Sequence, residues 1–192
     1  KALLGTDRVS AGLGVPARIR EGLAGSKVKV VAQSDDVPPN SEIGTVEACA
    51  ELGLAAKANM IIAVGGGSAI DTAKVANILM KKGGRVADHM GAQLVTKPLF
   101  PLVVIPTTAG TGSEVTRIAV IADKANDVKM PFTEDFLQPD LAVLDPEVTK
   151  TMPPRVTGAP AMDPLTHPAH AACAPDLSPA PAPMPVNAAR TP

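Results

Sequence analysis

The stretch Met60-Ile61-Ile62-Ala63-Val64-Gly65-Gly66-Gly67-Ser68-Ala69-Ile70-Asp71-Thr72-Ala73-Lys74 decides how the rest of the chain is read. Met60 to Val64 is a short, wholly apolar run, as expected for an inner strand of a parallel sheet. The three glycines that follow let the backbone turn sharply and leave no Cβ in the way of a ligand. Ser68 is placed to cap a helix, with Asp71 three residues on in a loose capping-box arrangement. Open N–H groups and the positive end of a helix dipole then converge just past Gly65–Gly67, a geometry that suits phosphate. A turn that binds nothing has the same local sequence, so the flanking chain must separate the two readings.

The totals narrow the choice. A chain of 192 residues suits one domain, or one domain and part of a second. The net charge of −1 gives no reason to expect nucleic acid or an anionic membrane as partner. Cys49 and Cys173 lie far apart without C-x-x-C spacing, which gives neither a disulfide framework nor a zinc signature and fits a reducing compartment. Nothing resembles a signal peptide, and no apolar run approaches the roughly 20 residues that span a bilayer. A soluble, cytoplasmic protein is expected. With no Trp or Tyr and three Phe, the core must be aliphatic. More than half of the 20 prolines lie beyond residue 150, so the front is globular in composition and the tail is not.

Upstream of the glycines, residues 1–13 read weakly as a strand or hairpin. Val15 to Ala24 has an early Pro and then Ile19 and Leu23 at i, i+4, the pattern of a short amphipathic helix. Lys27 to Gln33 reads as a strand, and Ser34 to Asn40, with two prolines, as a loop. Ser41 to Lys57 reads as a helix capped by Ser41, with Ile43, Val46, Ala50 and Leu54 on one face.

Downstream, the helix after Gly67 should run to about Lys82 and stop at Gly83-Gly84. Residues 84–97 read as irregular, with His89 a surface histidine. Leu99 to Ile105 is a second buried strand, ending in Pro106-Thr107-Thr108-Ala109-Gly110-Thr111-Gly112-Ser113-Glu114-Val115-Thr116. Loops of this kind at strand ends line the crevice of open α/β sheets, and their hydroxyls and N–H groups suit a phosphate or ribose. Hydroxyls that cap their own backbone are the alternative. Two such loops at successive strand ends favour the nucleotide. Arg117–Ala122 and Val128–Phe132 fit a hairpin, and Leu141–Leu144 a last short strand. Strands at 27–33, 60–64, 99–105 and 141–144 alternate with helices, which predicts a layered parallel α/β sheet.

GGGSAIDTAK at 65–74, PTTAGTGSEVT at 106–116, PDLAVLDPEVTKTMPP at 139–154 and MDPLTH at 162–167 resemble, in order, the signatures of the iron-dependent alcohol dehydrogenases. The resemblance implies a Rossmann-like parallel sheet with flanking helices over 1–150. It implies the start of a C-terminal helical metal-binding domain, an incomplete remnant, over 151–173, and leaves a Pro-rich tail at 174–192. The implied activity interconverts an alcohol and an aldehyde or ketone with NAD or NADP and a divalent metal, Fe or Zn. By the same resemblance Gly65, Gly66, Gly67 and Ser68 hold the pyrophosphate. Thr107, Thr108, Thr111 and Thr116 line the cofactor, Lys129 approaches its ribose, and Leu144 packs nearby. Asp163 and His167 match the first two metal ligands. No acid–base residue is assigned.

Departures from the family pattern carry expectations of their own. Ala24-Gly25-Ser26 leads straight into the strand at 27–33, where members place a further strand–helix unit, so the sheet is expected to be one strand short with bare edges that allow self-association. Pro164 and Pro168 each remove a helical hydrogen bond at roughly 3 kcal/mol, which predicts a broken metal helix. His170 stands where the family has Glu and reads as exposed. The competing functional readings are a nucleotide-binding module without turnover and an inactive fragment.

Overall fold

The computed structural model describes residues 1–150 together with Met162, Pro164 and Thr166. Its main sheet has five parallel strands: β1 (Ala2–Asp7), β2 (Val30–Val37), β3 (Met60–Gly65), β5 (Leu102–Pro106) and β8 (Leu141–Ala142), in the order β2-β1-β3-β5-β8. Strand β1 is the correction to the sequence reading. Its Ala2, Leu3 and Leu4 are fully buried, and it pairs with β2 on one side and β3 on the other. The sheet therefore has the strand that seemed to be missing. Ala2-Leu-Leu-Gly-Thr-Asp lacks the β-branched run that marks a strand locally; burial between two neighbours makes it one.

Helices cover both faces. The chain leaves β1 through α1 (Arg8–Gly12) and α2 (Val15–Gly22) and reaches β2. It leaves β2 through α3 (Ile43–Ala55) and β3 through α4 (Gly67–Lys82). Val15, Ile19 and Leu23 pack on Leu4, Ile62 and Val64. On the other face Val46, Ala50, Ile70, Ala73 and Ile78 pack on Leu3, Ile61 and Val104. A second, three-stranded sheet, β4 (Gly91–Ala92), β7 (Val128–Thr133) and β6 (Ile118–Asp123), stands beside α4. Its β6–β7 pair is antiparallel, the hairpin expected of segments 117–122 and 128–132.

Several boundaries move for physical reasons. Strand β2 runs Val30–Val37 rather than 27–33, because it starts where Ala2 of β1 offers Val30 a partner and stops at Pro38-Pro39. Strand β5 starts at Leu102 rather than 99: the Asn77 side chain occupies the Phe100 backbone, donating to its carbonyl at 2.7 Å and accepting from its N–H at 3.1 Å. Ser41 does not cap α3; its hydroxyl bonds Thr72, and Glu42 holds the cap position. Ser68 does not cap α4, which begins one residue earlier with Gly66 at the cap. Met162, Pro164 and Thr166 have helical backbone. The Thr166 hydroxyl donates to the Met162 carbonyl at 2.6 Å. Asp163, His167, Pro168, His170 and Cys173 lie outside the described residues.

Candidate cofactor site

The strand order itself locates a crevice. Chain from β1 goes to β2 on one side, and β3 returns to the other side of β1, so the direction reverses between β1 and β3. In open parallel sheets ligands sit at that switch point, outside the carboxyl ends of the strands. Gly65 ends β3 there, and Asp7 ends β1 beside it. Gly65 has φ +152°, a conformation that favours glycine. A Cβ on it would meet the Asp7 carboxylate at 2.5 Å and Ala69 Cβ at 2.7 Å. The Gly65 carbonyl accepts from Thr107 N–H at 3.0 Å, tying the glycine turn to the start of the hydroxyl loop.

Asp7 and Ser10 join this junction, and the sequence reading missed both. Asp7 caps α1, accepting from the Ser10 N–H at 2.8 Å and from its hydroxyl at 3.0 Å. Ser10 Oγ lies 3.5 Å from Thr107 Oγ1. An Asp closing an apolar run, with Ser three residues on, is a helix-start signal that could have revealed the β1–α1 corner.

At the start of α4 the N–H groups of Ala69 and Ile70 close on the Gly66 carbonyl. Those of Gly67 and Ser68 have no carbonyl one turn behind them, so they are the open donors of the first turn. They face a cleft of about 590 Å³. Gly67, Ser68, Thr111, Thr116 and Lys129 all line it, with Asn40 at its rim. Thus α4, the 106–116 loop and the hairpin bring together five of the candidate residues. Gly65 and Gly66 back the turn, and Thr107 is buried behind it. The Thr108 hydroxyl would lie 3.1 Å from a Cβ on Gly66, so it covers that glycine closely. Leu144 is 69% exposed and does not line the cleft. Among the described residues no group of three or more His, Cys, Asp or Glu side chains is arranged to hold a metal ion.

One edge of α4 is charged and yet buried. Asp71 accepts from the Ser113 hydroxyl at 2.6 Å and from the Val120 N–H at 2.9 Å, rather than completing a local capping box. Burial raises its pKa above the ordinary carboxylate value, opposed by those two bonds and by Lys74. Lys74 is fully buried and donates to the Thr116 and Ile118 carbonyls, each at 2.8 Å, and to Thr116 Oγ1 at 3.4 Å. Burial pulls its ammonium down to about 8, with Asp71 and Glu114 acting against that.

A glycine turn at the β1/β3 switch point thus meets a threonine-rich loop beside a cleft. The sequence profile of the iron-containing alcohol dehydrogenases matches residues 1–146. The chain belongs to that family. Among curated iron-containing alcohol dehydrogenases and their relatives, it is 36% identical to sulfoacetaldehyde reductase of Bilophila wadsworthia over 175 residues, 90% of this chain and 44% of that protein. It is 39% identical to NAD-dependent methanol dehydrogenase of Bacillus methanolicus, covering 87% of this chain and 44% of that one. Alcohol dehydrogenase from Oenococcus oeni superposes with a TM-score of 0.85 at 32% identity, over 93% of this chain and 47% of its own. Sulfoacetaldehyde reductase from Bifidobacterium kashiwanohense, solved with NAD+, gives 0.77 at 31% identity, over 88% and 44%. The chain therefore spans less than half the length of these relatives. No helix among the described residues is long and apolar enough to cross a membrane.

Proposed function

We propose that this chain carries the dinucleotide-binding part of an oxidoreductase that interconverts an alcohol and an aldehyde or ketone. The carrying observation is that Gly67 and Ser68, the first residues of α4, line a cleft together with Thr111, Thr116 and Lys129. The pyrophosphate rests on the helix start, where N–H donors and the dipole favour a dianion. Gly65 and Gly66 keep the backbone close to it, while Thr107 and Thr108 brace the loop from behind. Lys129 supplies a cation and donor for a ribose, while Leu144, exposed and outside the cleft, has only the family resemblance to support a contact with the cofactor.

The same reading favours NAD over NADP. Asp7 sets a carboxylate beside Gly65 at the end of β1. A carboxylate there repels a ribose 2′-phosphate and accepts from a 2′-hydroxyl. The matched methanol dehydrogenase and the NAD+ complex point the same way. The compartment proposed is the cytoplasm, in keeping with the free, buried thiol of Cys49.

For the metal, Asp163 and His167 are proposed as a pair of ligands to iron or zinc because they match the family's metal motif; a carboxylate with an imidazole suits such an ion. A bound cation would polarise the substrate oxygen. The test is calorimetric titration with NAD and NADP, with and without chelator, followed by NADH formation from short alcohols after adding iron or zinc. Micromolar, NAD-selective binding supports the reading. No binding of either nucleotide ends it.

A further inference from the structure

The β6–β7 hairpin carries Lys129 and three apolar residues, Ile118, Val120 and Ala122, to the cleft, yet it belongs to a separate small sheet. Something must hold it at the right distance from the glycine turn. Its Ala119, Ile121, Met130 and Phe132 pack into the main core and Ala122 N–H bonds the Ser41 carbonyl, while four hydrogen bonds of 2.6–2.9 Å tie its leading end to two side chains of α4. Lys74 binds the carbonyls of Thr116 and Ile118, and Asp71 binds Ser113 Oγ and Val120 N–H. Ser113 and Thr116 lie in the loop before β6, and Ile118 and Val120 lie in β6 itself. Asp71 and Lys74 sit at i, i+3, on one edge of a helix that starts at the glycine turn itself.

We infer that Lys74, with Asp71, is a positioning residue that locks the β6–β7 hairpin onto α4 and so sets the width of the cofactor cleft. The assignment rests on the dinucleotide reading above. The helix that offers its N-terminus to the pyrophosphate thereby also fixes the opposite wall, one turn further along. Lys74 has no bonded carboxylate; its ammonium spends its donors on main-chain carbonyls, which suits holding a backbone rather than contacting a ligand. Among the described residues the charged groups acting on it are Asp71 and Glu114. Removing the ammonium leaves two carbonyls of the hairpin stem without a donor, and the hairpin swings while the five-stranded sheet stays intact.

The test separates the two halves of the cofactor. ADP engages the glycine turn and the β1 side; only NAD also reaches the hairpin wall. In the 192-residue chain, Lys74→Met should raise the NAD Kd at least tenfold and change the ADP Kd less than twofold. Hydrogen exchange should quicken over 117–133 and stay unchanged in β1, β3 and β5. Asp71 and Ser113 also line the cleft, so for Asp71→Asn and Ser113→Ala the readout is hydrogen exchange over 117–133, which should quicken by a smaller factor and decides the matter if Lys74→Met does not fold. Equal losses for NAD and ADP, or unchanged NAD affinity and exchange in the variants, overturn the positioning role while leaving the dinucleotide reading standing. A wild-type chain that binds neither ligand removes that reading, and this inference with it.

Discussion

Gly67→Ala should weaken NAD binding while leaving the fold intact. Gly67 is the first residue of α4 and has ordinary helical backbone, so a side chain adds no strain of its own. What matters is the neighbour. A Cβ there would sit 2.9 Å from Thr111 Cγ2, 3.1 Å from Thr111 Oγ1 and 3.2 Å from Thr111 Cβ. Contact below 3 Å cannot stand, and a β-branched side chain has few rotamers to escape into. The loop must therefore retreat from the helix start, at an overpacking cost of about 1–3 kcal/mol. If that cost falls on the bound geometry, the NAD Kd rises roughly 5- to 100-fold at about 1.4 kcal/mol per decade. Meanwhile Ala is favoured over Gly in a helix by up to about 1 kcal/mol, so the melting temperature should hold. Calorimetry with NAD and a thermal melt measure the two effects separately. The double variant Gly67→Ala, Thr111→Ser lacks the methyl at 2.9 Å and should recover part of the affinity. Wild-type affinity in Gly67→Ala would refute the close approach of loop and helix start on which the cleft depends.

Other perturbations test the packing behind the site. Lys74 has a pKa near 8 in the folded chain against an ordinary 10.5, so between those values the unfolded chain holds more protons. Stability should then rise with pH from about 8 to about 9, by about 1 kcal/mol, before the raised Cys49 thiol begins to pull the other way. Urea melts across that range should show the rise in the wild type and not in Lys74→Met. Burial pushes the Cys49 thiol up to about 11, so iodoacetamide should label Cys49 at pH 7.5 only after denaturation, as read by peptide mass spectrometry. Gly53→Ala should reverse the usual helix gain, because its Cβ would fall 2.7 Å from Met80 Sδ and Cε and 3.0 Å from Leu3 Cδ2. A loss of about 1 kcal/mol in a denaturant melt is expected, and a gain would show that Met80 moves freely aside.

What the sequence made legible was local. The apolar run 60–64 and its glycines announce β3 and the start of α4, and segments 117–122 and 128–132 announce the β6–β7 hairpin. The Thr-rich loop was readable because few other uses explain so many hydroxyls after a buried strand. What stayed hidden depended on distant partners. Strand β1 is a strand because it lies between β2 and β3. The 1–7 segment therefore hid the switch point and Asp7. Asp71 looked like a capping residue, yet its carboxylate serves Ser113 and Val120, more than 40 positions away. Lys74 gave less warning still. A lysine in a helix reads as solvated, whereas every residue from Thr72 to Met80 is buried, so this stretch has no wet side on which to place it.

The order of strands also bears on how the molecule assembles. Ala2 pairs with Met60 and Val103 with Leu141, so each contact closes a long stretch of chain before it returns any stabilisation. The β6–β7 turn at Lys124–Asp127, by contrast, brings neighbours together at once. Refolding should start with that small ribbon and α4, and the large parallel layer should form in the slower, later phase.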